Sequence, residues 1–236
     1  METISNDRET DGGRPPIAAL RERRTALLAR QVAARAAPLV SSTPGEDIVQ
    51  ISVQQGVDLV LVDGPPSPLR DPVLEHLLTH TPCDVGILIG RGPQAGSVLV
   101  PFVGAEHDWA AIELAAWAAG ALGVPLLLAG PRGSVNGRNA SGLLASASLA
   151  VQRTLAIAAE PLLLEPGPAA LLAATEDAGV VVMGLTDRWR QEGLGEVREA
   201  LAAAASSCVV LVRRGLKPGG LAPPESRTRF TWSLRG

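Results

Sequence analysis

The most constraining feature of this 236-residue chain is that it repeats itself at a domain-sized distance. The segment Gly45-Glu46-Asp47-Ile48-Val49 leads to Gly56 and then to the apolar run Leu59-Val60-Leu61-Val62. In the same way, Gly167-Pro168-Ala169-Ala170-Leu171 leads to Gly179 and the run Val180-Val181-Val182-Met183. Cys83 opens a segment ending in Arg91-Gly92, and Cys208 opens one ending in Arg214-Gly215. The helical pattern of Ile17 to Arg35 has its counterpart at Asn139 to Arg153. The paired segments lie about 122–125 residues apart, far beyond a solenoid period. Elements that keep one offset predict a duplicated domain.

The second copy reads as complete over 97–215. It predicts strand 97–102, helix 106–120, strand 125–129, helix 139–153, strand 157–165, helix 168–178, strand 179–183, helix 195–205 and strand 208–213. Strands alternating with helices imply a parallel sheet covered on both faces, and nearly unbroken apolar runs such as Val209-Val210-Leu211-Val212 suit that burial. The fold class expected is therefore α/β, a doubly wound five-stranded parallel sheet. The first copy, 15–92, is partial: helix 17–35, strand 38–42, helix 45–55, strand 58–62, helix 71–80 and strand 84–90. Its first strand, first helix and second strand would precede Met1. The absent first strand is expected between the third-type and fourth-type strands, which would leave Leu39-Val40 and Leu59 to Val62 without a neighbour.

Composition narrows the function. A chain 46% hydrophobic and 19% charged can bury a core, and a formal charge of −3 gives no reason to expect nucleic acid. Two cysteines are too few for a disulfide framework and suit a reducing compartment. Lys217 is the sole lysine, so arginine richness reflects coding bias, and arginine clusters are not read as phosphate sites. Residues 1–14 are polar, without the apolar core of a signal peptide, and read as a disordered N-terminus. Trp109 to Gly130 approaches membrane-span length, but Gly120, Gly123 and Pro125 divide it into a helix, a turn and a strand. The tail, 216–236, loses periodicity yet carries Phe230 and Trp232, which are expected to dock.

The element order, Val98-Leu99-Val100-Pro101 and the Gly-Glu-Asp-Ile-Val turn together resemble the universal stress protein family. The chain is most similar to the tandem universal-stress-type tail of bacterial cation/proton antiporters. That likeness rests on Gly104-Ala105-Glu106-His107-Asp108-Trp109 and on the ending Gly219-Gly220-Leu221-Ala222-Pro223 through Thr228-Arg229-Phe230-Thr231-Trp232-Ser233-Leu234. The resemblance implies a non-catalytic regulatory module in the cytoplasm, working at the inner face of the plasma membrane. Its partner would be the membrane portion of an antiporter or a second universal-stress-type domain. It also implies pairing of the two last strands, 84–90 with 208–213, as an intramolecular pseudo-dimer or between copies. The alternative is a free-standing ATP-binding stress protein.

ATP-binding members of that family carry an acidic residue after the first strand. After the fourth they carry Gly, two residues, Gly, nine residues, then Gly with Ser or Thr. Here the acidic position is Val103, Gly184 matches the first glycine, Asp187 replaces the second, and Gly195-Glu196 stands for the last pair. Seven residues separate Asp187 from Gly195, and two carboxylates where phosphate would sit repel it, so no cofactor is expected. Gly133 to Gly137 lacks a phosphate-loop lysine and reads as a turn. His76 and His80, with Cys83 following, have helical metal-ligand spacing but no obvious fourth ligand except Asp84, so no metal is expected. Glu106 and Asp108, flanking His107, are placed to offset exposed amides at a helix start. No Gly-x-Ser-x-Gly elbow is present. Trp109, Glu113 and Trp117 share a helical stripe expected in packing, and Arg21, Glu22, Arg23 and Arg24 a solvated face.

Overall fold

The computed structural model describes residues 17–90, 92–135, 137–204, 207–217 and 219–221. The first segment forms α1 (Ile17–Ala29), α2 (Pro44–Gln55), β1 (Leu59–Gly64), α3 (Pro72–His80) and β2 (Asp84–Ile89). There follow β3 (Ser97–Pro101), α4 (Glu106–Leu122), β4 (Leu126–Pro131), the small hairpin β5 (Ser134–Val135) and β6 (Arg138–Asn139), and α5 (Ala140–Leu155). The chain then runs through β7 (Ala159–Leu164), α6 (Pro168–Ala174), β8 (Ala178–Gly184), the single turn α7 (Trp189–Glu192), α8 (Glu196–Ala204) and β9 (Cys208–Arg213).

Local chemistry sets these boundaries. Asp71 Oδ1 accepts from the amides of Val73 at 2.8 Å and Leu74 at 3.2 Å, and Pro72 opens α3. Gly56 and Gly123 end α2 and α4 in the left-handed conformation. The segment tested for a membrane span is α4, a turn and β4; no helix among the described residues is long and apolar enough to cross a membrane.

Strand order is β1-β2-β9-β8-β3-β4-β7. The five strands of the second unit are parallel, as expected, but the sheet has seven strands, because β1 and β2 join it. The junction is the one antiparallel pairing, Val85 with Arg213 through Ile89 with Val209. Alternate residues along each strand face opposite layers. Val210 and Val212 belong to the core on one face of the sheet, with residues of α4 and α5; Val209 and Leu211 belong to the core on the other, with residues of α3 and α8.

Three expectations for the first segment are corrected. No strand forms at 38–42: Leu39 and Val40 are exposed, Val40 at 84%, because no strand lies beside them to complete a ladder. The helix expected at 17–35 stops at Ala29 and buries no side chain. By contrast, α5 buries Leu144, Ala147 and Val151 against β4 and β7, and among the described residues no strand pairs with α1 in the same way. Finally, among β3, β4, β7, β8 and β9 the first strand, β3, lies between the second, β4, and the fourth, β8, not between the third and the fourth. The outer edge of β1 corresponds to that position and pairs with no strand among the described residues.

After β9 the chain forms a strap across both parts of the molecule. The buried Arg213 guanidinium donates to the carbonyls of Thr81 at 2.6 Å and Cys83 at 3.2 Å, and the Gly215 amide donates to Asp84 at 2.7 Å. Lys217 donates to Asp58 and to carbonyls at the end of α2. The strap then returns to α4, where buried Glu113 accepts from the amides of Gly220 at 3.0 Å and Leu221 at 3.3 Å and pairs with Arg214 at 3.3 Å. Leu221 is fully buried in the core. Phe230 and Trp232 lie outside the described residues.

Candidate functional site

In a parallel sheet, ligands enter beyond the carboxyl ends of the strands where the order reverses. Here that point lies between β3 and β8, and a cavity of about 300 Å³ opens there. The ends of β3, β4, β7 and β8 and one side of α8 wall it. Pro101, Pro131 and Pro168 contribute backbone without N–H groups at three of its corners. Phe102, Leu164, Leu171, Met183, Val197 and Leu201 make the rest of the wall largely apolar.

Two of the five family positions named from the sequence, Val103 and Gly184, line this cavity; Asp187, Gly195 and Glu196 do not. Asp187 and Glu196 are exposed residues outside the lining of this cavity. Gly184 serves a different purpose. Its α-carbon faces the backbone of His107, and a Cβ there would overlap that carbonyl, so glycine lets β8 end against the first turn of α4. Gly195 has φ +76°, a left-handed turn into α8.

Asp108 is buried, and its Oδ2 accepts from the amides of Val103 and Ala105, each at 3.0 Å. It therefore stitches the loop after β3 to the start of α4, the amide-offsetting role expected of it. Burial raises its pKa, against the pull of those amides and of His107. The Nε2 of His107 lies 3.4 Å from Asp108 and accepts from Arg198 Nη2 at 2.6 Å, so the imidazole is neutral in this arrangement. Burial lowers the His107 pKa, Asp108 opposes that shift and Arg198 adds to it. Arg198, which also lines the cavity, went unnoticed in the sequence because 91 residues separate it from its partner. The three prolines were visible there, each directly beside an apolar run or glycine.

Elsewhere, the His76 and His80 rings stack at 4.2 Å, and Cys83 is buried away in the entry to β2. Trp109 is buried and meets Phe102 edge-on at 5.5 Å, as expected of a packing residue, whereas Trp117 is half exposed. Glu113 turns out to be the anchor of the strap, a role that its own helix could not reveal.

The fold has counterparts among solved structures. A universal stress protein from Archaeoglobus fulgidus DSM 4304 superposes with a TM-score of 0.54 at 17% identity, covering 90% of this chain and 84% of that one. The fold is that of the universal stress proteins. A protein of Pseudomonas aeruginosa UCBPP-PA14 named for the same family gives 0.52 at 19% identity, covering 86% of this chain and 80% of that one. No protein-family model matches the sequence, and no curated protein does.

Proposed function

We propose that the chain is a non-catalytic regulatory module of universal stress protein type, a complete unit fused in tandem to a partial one. It acts in the cytoplasm on the membrane portion of a cation/proton antiporter. The observation that carries this reading is the chemistry of the switch-point cavity. Prolines and apolar side chains stand where nucleotide binding needs amide donors, and its buried Asp108 is committed to two backbone amides. Two structural features support an interaction role: the antiparallel β2–β9 junction and the strap that ties α4 to β1 and β2. Vesicles carrying the membrane portion of a cation/proton antiporter, assayed for cation-driven proton movement, test this reading. The expected result is a changed exchange rate or pH profile when saturating chain is added; an unchanged profile overturns it.

The alternative is a free-standing, ATP-binding stress protein. Calorimetry separates the two. We expect no saturable binding of ATP at micromolar concentration, with or without magnesium, and low-micromolar binding would favour the alternative.

A further inference from the structure

The switch-point cavity holds a cation without a direct ion pair: Arg198 reaches the acid Asp108 only across His107. Arg198 is half-buried, and of its five N–H donors one meets the Leu194 carbonyl at 3.3 Å and one the neutral His107. Among the described residues no carboxylate lies within ion-pair distance of it. Asp108, the nearest buried acid, has Oδ2 occupied by two amides and Oδ1 beside His107. Glu165, on the rim, pairs with Arg132 at 3.2 Å. A guanidinium drawn into an apolar wall without a direct ion pair is costly, and a carboxylate that contacts it from the cavity lowers that cost.

We propose that this cavity binds a small monocarboxylate with an apolar chain. Arg198 holds the carboxylate, and Phe102, Leu164, Leu171, Met183 and Leu201 surround the chain. The lining selects this class by exclusion. A phosphate needs several converging amides, and the prolines withhold them. A cation meets Arg198, and a neutral apolar molecule leaves the guanidinium unpaired. A dicarboxylate brings its second charge towards Asp108 or Glu165. The volume, about 300 Å³, lies at the small end of ligand pockets and suits a chain of short to medium length. The inference rests on the cavity alone and holds whether or not the module acts on an antiporter.

The test is calorimetric titration of the whole chain with octanoate, octanol, octylamine and magnesium-ATP. Octanoate is expected to bind saturably and at least about tenfold more tightly than octanol, the worth of one charge-assisted contact. Octylamine and ATP are expected not to bind. Arg198→Gln should weaken octanoate by at least about tenfold and bring it level with octanol. Leu171→Trp, which fills the cavity and leaves Arg198 in place, should abolish binding of both. Circular dichroism on each variant confirms folding, and either variant alone suffices. Octanoate and octanol binding alike, octanoate unaffected by either folded variant, no saturable octanoate binding, or ATP displacing octanoate would each overturn the proposal.

Discussion

At Gly184 the backbone comes so close to the His107 carbonyl that the side chain must be a hydrogen atom. Gly184→Ala should therefore force the end of β8 away from α4, costing about 1–3 kcal/mol of stability in a denaturant titration. Gly133→Ala, at a glycine with nothing within 4 Å of its Cβ position, offers a contrast: its cost should come only from its positive φ. His107 makes a prediction of a different kind. Its pKa is lowered in the folded chain, chiefly by burial, so the unfolded chain binds the proton more readily. The stability this group contributes is fully present above the unfolded value of about 6.5 and is lost as pH falls through the folded value. Asp108 is shifted the other way, with a raised pKa, so its contribution is present at low pH and is lost as pH rises through its folded value. Denaturant titrations at about pH 7.5 and about pH 5.5 should thus show a His107-dependent loss of stability on acidification. In His107→Gln, whose amide oxygen still accepts from Arg198, that loss should shrink. An equal loss in both proteins would show that other groups carry it.

Among the elements, the strap after β9 makes the clearest prediction. Leu221 is fully buried, and among the described residues its backbone and that of Gly220 are held against α4 by Glu113, which Arg214 also pairs. Leu221→Ala should cost about 2–5 kcal/mol, as other large-to-small core changes do. Glu113→Ala, which leaves two amides and a half-buried arginine without their acceptor, should cost about 1–3 kcal/mol. Thermal melts of both variants check this, and a Leu221 variant as stable as the parent would mean that the strap does not dock in solution. The strap also marks the limit of what the sequence disclosed. Strands and helices of the second unit were legible to within a few residues, because apolar runs, prolines and left-handed glycines punctuate them locally. Leu39-Val40 has the same local character and forms no strand, since a ladder needs a neighbour and propensity alone provides none. The site was legible only in outline. The end of β3 and Gly184 could be placed from the pattern, but the partnership of Arg198 with His107 and that of Glu113 with Gly220 join distant parts of the chain. No local periodicity records such contacts.

For the molecule as a whole, stability should grade across the sheet. The central strand β8 has partners on both sides and is buried throughout, whereas β1 has only β2 beside it and is mostly half-buried. Hydrogen exchange should accordingly be faster at residues 59–64 than at 178–184. Equal protection in a demonstrated monomer would show that something else covers the β1 edge. The antiparallel junction between β2 and β9 has a further consequence. Because β1 and β2 run against the other five strands, their carboxyl ends point to the rim opposite the switch-point cavity. The carboxyl ends of the strands therefore lie at two opposite rims of the sheet, its two poles. A protein seated on the β1–β2 pole leaves the mouth of the cavity open to diffusion, so neither contact blocks the other. Any influence between the poles must then be mechanical, carried along the shared strands and across the one pair that reverses direction.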